Sequence, residues 1–379
     1  MDGGHHFEEE AEDHSPYCVR FSEITTHDLH FILTVLILGP ISLLGIVMNF
    51  LCIIILSQDS RKSTAAFLLL LMAVADGFFM LFDFASMTAP ALASMGPMCT
   101  SISAESKATY KQTLPYLLTL MEVARTLSVW LTAVALLSRY VDVFNPLHSS
   151  PHCTLPCIKK QIIALAIYCA IFNIPRFFEL RRHCHSHEES HQSENHTITE
   201  PPVEHKQTTG DKCLYNTKFA IPYNVLIVAL NHFIPVLIVG SLTYKLGALW
   251  KLHTSDKLMK SEQQFYGGYD QHMHVTRTIV AIGTLFLFCE VPFVGFMFHQ
   301  IFRRIYPEME PNWDSRAKSA VATIISYLFQ DLNCCSKFII YFIFGKKFRK
   351  HVQYVFKCCA LKPLTVHRRR SLTRETIVR

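Results

Sequence analysis

Seven apolar runs divide this chain, and each is long enough to cross a bilayer as a helix. They fall at about residues 31–56, 65–85, 114–137, 161–178, 219–246, 275–298 and 317–344. A backbone in lipid has no water to bond to, so only helices or closed barrels can cross, and runs of this length select helices. Composition agrees: 50% of the residues are hydrophobic and 17% are charged, against about 25% charged in an ordinary soluble domain. The expected fold class is an all-α membrane protein, a seven-transmembrane helix bundle.

Charge is placed unevenly. Asp2, Glu8, Glu9, Glu10, Glu12 and Asp13 crowd the start, whereas Lys346, Lys347, Arg349, Lys350, Arg368, Arg369 and Arg370 crowd the end. Lys and Arg collect on the cytoplasmic side, so residues 1–29 form an outside tail and residues 360–379 a basic inside tail. An odd number of crossings follows. The basic tail faces the bilayer or a protein partner, not nucleic acid. With no cleavable signal at Met1, the first run is expected to direct its own insertion. After the seventh run Gly345 breaks the helix, and residues 345–359 carry Phe348, Val352, Val355 and Phe356 on one side with basic residues on the other. That pattern predicts a short amphipathic eighth helix on the inner leaflet. Cys358 and Cys359 at its end are placed for palmitoylation.

The runs carry marks in a fixed order. Asn49 lies in the first and Asp76 in the second; Arg139-Tyr140 closes the third; Pro175 lies in the fourth and Pro235 in the fifth; Phe286, Cys289 and Pro292 lie in the sixth; Tyr341 lies in the seventh. Together these resemble the rhodopsin-like (class A) G-protein-coupled receptors over about residues 30–359. Two strings, NIPRFFE at Asn173–Glu179 and the seventh-run pattern from Asn333 to Arg349, are similar to the FMRFamide-like neuropeptide receptors of invertebrates. The resemblance implies a plasma-membrane receptor with its N-terminus outside and no catalysis or cofactor of its own. It would bind an extracellular RFamide-type peptide and signal to a heterotrimeric G protein. The same fold with a non-peptide ligand is an alternative. A seven-span transporter or proton relay is another, since buried acids and bases suit a relay, but inverted repeats and paired broken helices are not visible.

Four positions depart from the family pattern. Ser138 replaces the acid before Arg139, Glu290 stands where the sixth span usually has an aromatic, Lys337-Phe338 replaces Asn-Pro, and Leu114 replaces the usual disulfide Cys.

Seven ionisable residues lie at membrane depth: Asp76, Asp83, Glu122, Arg125, Glu290, Asp331 and Lys337. Such residues are functional candidates when they face inward and pair. Glu122 and Arg125 are spaced i, i+3 and share a helix face. The resemblance puts that face on the pocket side, level with Glu290, so an Arg125–Glu290 ion pair across the pocket floor is expected; a Glu122–Arg125 pair is the alternative. The candidate ligand set is Asp83, Met121, Glu122, Arg125, Glu290, Tyr327 and Asp331, with Glu122 or Asp331 receiving a cationic ligand side chain. The resemblance also implies a polar core of Asn49, Asp76, Ser128, Asn333 and Lys337, in which Lys337 pairs with Asp76 and takes the place of a sodium ion. Arg139, Tyr140, Pro292 and Tyr341 are the implied switch and coupling residues. Asp142, three residues on, is the candidate to hold Arg139 in place of the missing acid.

Cys18, Cys99, Cys184 and Cys213 fall outside and allow three pairings, which the sequence leaves open. The resemblance implies one bridge to the second outer loop; with Leu114 in the usual place, Cys99 takes that part, and Cys213 is preferred over Cys184 as its partner. Asn195-His196-Thr197 is an acceptor sequon on an expected outer loop. The His residues crowded beside Cys184 lack a supporting shell, so no metal site is expected.

Overall fold

The computed structural model describes residues 31–59, 63–93, 104–144, 154–194, 217–259, 267–306 and 313–360. Eight helices follow in order. α1 is Leu33–Leu38 running into Gly39–Asp59, and α2 is Thr64–Asp83 continued by Phe84–Thr88 and Ala89–Ala93. α3 is Ala104–Phe144 and α4 is Leu155–Glu194. α5 joins Thr217–Val228, Ala229–Phe233 and Ile234–Met259; α6 is Gly267–Ile305, α7 Trp313–Phe344 and α8 Lys346–Ala360. No strand occurs among the described residues.

Six of these helices are apolar and long enough to cross a membrane on composition alone. α7 is not among them. The reason is visible in its sequence, because Asp331 and Lys337 sit in its middle, and both are fully enclosed by the other helices. α7 therefore completes a seven-helix bundle through polar contacts inside it.

α3 is the axis of the bundle. Its span is 67% buried, against 11% for α4, and it packs on α2, α4, α5 and α6. α4 shows the opposite design. Ile163, Ile167, Ile171 and Ile174 recur at helical spacing and are all exposed, a stripe that meets lipid tails rather than a protein neighbour. The half of the core nearer α8 is Leu68, Met72, Leu131 and Tyr341 with Phe348 and Val352 from α8. A second cluster joins α3, α5 and α6 through Leu136, Val239, Leu246 and Phe286.

Three short π-helical stretches widen α1, α2 and α5, at Leu33–Leu38, Phe84–Thr88 and Ala229–Phe233. Each ends two residues before a proline: Pro40, Pro90 and Pro235. The pyrrolidine ring lacks an N–H and crowds the preceding turn, and a wider turn accommodates it without breaking the helix. In α5 the consequence is functional, since the wide turn presents both Asn231 and His232 to the interior.

Gly345 is the hinge between α7 and α8. A side chain there would meet the Tyr341 carbonyl oxygen at 2.6 Å. Arg349 turns back and donates to the carbonyls of Phe342 (3.0 Å) and Ile343 (2.5 Å), two acceptors left open by the end of α7. This accounts for the Gly-Lys-Lys-Phe-Arg string. Phe348 and Val352 turn toward α1 and α7 as the amphipathic pattern requires.

The helices run further than the apolar runs. Residues 86–112, expected as an outer loop, are helical over 86–93 and 104–112. The fourth helix likewise continues as far as Glu194. Helical propensity does not end where lipid does, and both polar extensions are helical over their described residues. Cys18, Cys99, Cys213 and Asn195 lie outside the described residues, so the bridge and the sequon have no structural account. The Cys358 and Cys359 backbones close α8, and their side chains are likewise outside it.

Candidate ligand site

A cavity of about 320 Å³ opens between the outer halves of α3, α4, α5, α6 and α7. Arg125, Arg176, Asn224, His232, Gln300 and Tyr327 form its polar wall. Ile227, Val228, Phe293, Phe296, Met297 and Ile301 form the apolar one. Its size is at the lower end of ligand pockets, roughly 300–1,000 Å³.

Its floor is a continuous ionic network. Arg125 donates from Nη2 to Glu122 Oε2 at 2.7 Å and to His232 Nε2 at 3.0 Å. Guanidinium nitrogens only donate, so Nε2 accepts, and the imidazole proton sits on Nδ1. Nδ1 then donates to Glu290 Oε1 at 2.8 Å. Gln330 of α7 donates to the other Glu290 oxygen at 2.8 Å. Arg176 of α4 approaches Glu122 Oε1 at 3.5 Å. The Arg125 guanidinium also lies over Phe293, 4.0 Å from the ring centre. One network thus joins α3, α4, α5, α6 and α7.

The expected direct Arg125–Glu290 pair is corrected here. His232 stands between the two, and Arg125 makes its short ionic contact with Glu122. The imidazole fills the gap because the π turn of α5 drives it inward. The expected receivers of a ligand cation are also otherwise engaged. Glu122 is flanked by Arg125 and Arg176. Asp331 and Asp83 do not line the cavity; they converge on Ser42 of α1, at 2.6 and 3.2 Å. Met121 is buried beside Phe79, Cys334 and Cys335, below the cavity wall. Tyr327 does line it.

A second polar site lies deeper. Lys337 Nζ is 2.8 and 3.1 Å from the two Asp76 oxygens and 3.1 Å from Ser128 Oγ. Ser128 in turn donates to Asp76 Oδ1, and Cys334 Sγ lies 3.5 Å from the same oxygen. Asn49 is nearby but bonds the backbone of Gly45 and Cys334. Asn333 is buried, and its Oδ1 finds no partner among the described residues. The geometry therefore unites Asp76, Lys337 and Ser128 and leaves Asn49 and Asn333 beside them.

At the inner end, Arg139 Nε donates to Thr276 Oγ1 of α6 at 2.8 Å. Asp142 is 3.9 Å from Arg139 Nη1 and partly exposed. Tyr140 stacks on Phe144 at 4.5 Å, with the Lys245 ammonium 5.4 Å from its ring. Tyr341 is buried against Phe348. Pro292 lies inside α6, exposed on its outer side.

Reading the sequence missed His232, Arg176, Gln330, Ser42 and Thr276. Arg176 was within reach, since it is the only basic residue of the NIPRFFE string. His232 would have been found by counting imidazoles among the ionisable groups at membrane depth. Ser42, Gln330 and Thr276 carry no signal, because uncharged polar residues are common in spans.

Seven packed helices, a cavity with an ionic floor at one end and a buried Arg139 at the other are the features the comparisons have to account for. The profile of the family described as "Serpentine type 7TM GPCR chemoreceptor Srw" matches residues 39–359, and the chain belongs to that family. It is 23% identical over 327 residues to a Caenorhabditis elegans protein called FMRFamide peptide receptor frpr-18, covering 84% of this chain and 68% of that one. It is also 23% identical over 364 residues to the FMRFamide receptor of Drosophila melanogaster, covering 93% of this chain and 60% of that one. The protein is thus a multi-pass membrane receptor and not an enzyme.

Proposed function

We propose that this receptor binds an extracellular neuropeptide of the RFamide type and passes the signal to a heterotrimeric G protein. The observation that carries the reading is the network beneath the cavity. It links five helices through Arg176, Glu122, Arg125, His232, Glu290 and Gln330, so a ligand contacting Arg125 or His232 acts on all of them at once. The relatives support the peptide class, since both are called FMRFamide receptors. The N-terminus faces outside and the receptor sits in the plasma membrane. Arg139, tied to α6 through Thr276, is the contact that opens toward the G protein.

The test is a panel of amidated peptides applied to cells carrying the receptor and a G-protein readout. Dose-dependent signalling to an RFamide peptide supports the reading, whereas silence to the whole panel with the receptor at the cell surface overturns it. A second reading is favoured by the family description, which is of chemoreceptors. A small non-peptide molecule would then occupy the cavity, and signalling to small organic ligands without any peptide response selects it.

A further inference from the structure

The outer end of α3 lies beyond a proline. Pro115 stands inside α3, between a polar extension at residues 104–114 and the span that carries Glu122 and Arg125. Proline has no N–H to return to the preceding turn, so one backbone bond between extension and span is missing. In the resembling family a disulfide Cys stands at this level, whereas this chain has Leu114. The extension is nevertheless tied down.

Tyr110, in the extension, donates from its hydroxyl to the backbone carbonyl of Ser86 in α2 at 2.8 Å. The sequence of α2 explains why that carbonyl takes a donor from outside its own helix. In an α-turn it would accept the N–H four residues on, but that residue is Pro90, which has none. The wide turn Phe84–Thr88 leads into this proline. Ser86 is buried, and a buried carbonyl without a donor is costly. Tyr110 thus supplies from α3 the donor that Pro90 withholds from α2.

The turn that Tyr110 grips is itself fixed. Thr88 packs on Gly39 of α1 so closely that a Cβ at Gly39 would lie 2.6 Å from Thr88 Cγ2. Asp83, just before the turn, meets Ser42 of α1. The Tyr110 bond therefore fastens α3 to a point already held by α1. On the far side of Pro115, Tyr116 packs on Phe177 of α4, with ring centres 4.6 Å apart. Phe177 follows Arg176, which lines the cavity.

We infer that Tyr110 is a positioning residue whose hydroxyl seats the outer end of α3 on α2, beside the cavity, in the part that the disulfide plays in the resembling family. The tie is a hydrogen bond, so it survives reduction. It stands whichever ligand the cavity takes.

Hydrogen exchange on the purified full-length receptor, with and without a thiol reductant, tests this. In wild type, reductant should change the exchange of residues 104–113 by less than about twofold. Tyr110→Phe removes one oxygen and should speed their exchange by roughly threefold to thirtyfold, while residues 275–298 of α6 keep their wild-type rates. Ser86→Ala should leave 104–113 unchanged, because the acceptor is the backbone. Pro90→Ala returns an N–H to that carbonyl, so Tyr110→Phe made on top of it should add less than about twofold. Unchanged exchange in Tyr110→Phe overturns the inference. So does an equal rise across the whole bundle, which is lost stability and not the release of one end. Release of 104–113 in wild type by reductant alone overturns it as well, because a disulfide then holds that end.

Discussion

Lys337 places its ammonium 2.8 Å from Asp76 Oδ2, and neither side chain is open to solvent. The pair is closed by Ser128, which contacts both partners. A cation is thus supplied by α7 itself, covalently, where the resembling family implies a bound sodium ion. Lys337→Met leaves Asp76 buried without its partner, a change that costs about 3–5 kcal/mol. The double replacement Asp76→Asn with Lys337→Met should recover much of that loss, because no charge remains unpaired. Thermal unfolding in detergent measures both. Wild-type ligand affinity should not differ between sodium and a large inert cation at equal ionic strength; a fall specific to sodium would count against the pair.

His232 is the only bridge between Arg125 and Glu290 among the contacts described here. His232→Leu removes two hydrogen bonds to charged groups, each worth about 1.5–3 kcal/mol when buried. The expected result is a receptor that unfolds at lower temperature and responds weakly to ligand at normal surface expression. Gln330→Leu removes one such bond and leaves the imidazole bridge intact, so its effect should be smaller. If His232→Leu signalled normally, the network would be structural and not a route from cavity to core.

Two of the contacts Arg139 makes are of unequal strength. The contact with Thr276 is short and buried, whereas Asp142 lies 3.9 Å away on an exposed side chain. Exposed pairs are worth about 0.2–1 kcal/mol, and a buried bond to a charged group more. Thr276→Val should therefore raise basal signalling more than Asp142→Ala does. Ser138, in the position where the resembling family has an acid, bonds the Ala135 carbonyl of its own helix and no side chain among the described residues. Basal G-protein activity of the two variants, normalised to surface receptor, decides the order.

The bundle itself was legible in the sequence because lipid imposes length and apolarity on every span. Asp76 facing Lys337 was expected from the family resemblance, which sets the two on one polar axis, and the two side chains lie 2.8 Å apart. The floor of the cavity was not. Its geometry depends on the π turn at Ala229–Phe233, a local widening that turns His232 inward and that no periodicity announces. Without that imidazole, Arg125 and Glu290 look like direct partners. The surroundings of the expected cation receivers were hidden for a similar reason. Glu122 and Asp331 were visible as acids, but the Arg176 and Ser42 contacts that engage them come from other helices.

Gly45 of α1 packs against Met80 of α2 and Cys335 of α7. A Cβ there would collide with Met80 and with Cys335 Sγ. Gly45→Ala forces that contact apart and should cost about 1–3 kcal/mol by overpacking. Gly295, in α6, has open space around it. Gly295→Ala should be neutral or stabilising by up to about 1 kcal/mol, as expected for alanine in a helix. Paired melting curves separate crowding from helix propensity, because both variants make the same chemical change.

Asp83 and Asp331 meet at a single hydroxyl. Ser42 Oγ lies 3.2 Å from one, 2.6 Å from the other and 2.9 Å from the Leu38 carbonyl. One hydroxyl hydrogen cannot serve three acceptors. Asp83 Oδ1 and Asp331 Oδ1 have no partner among the described residues, and two acids this close repel when both are charged. Asp331→Asn keeps the shape, removes the like-charge contact and adds an N–H₂ that can donate to Asp83. It should stabilise the receptor by about 1 kcal/mol. Asp331→Ala gains the relief but leaves a gap and no donor, so it should be less stable than Asp331→Asn. Unfolding temperatures of the purified full chain rank the three; a loss on Asp331→Asn would mean that the pair holds a partner that amide nitrogen cannot replace.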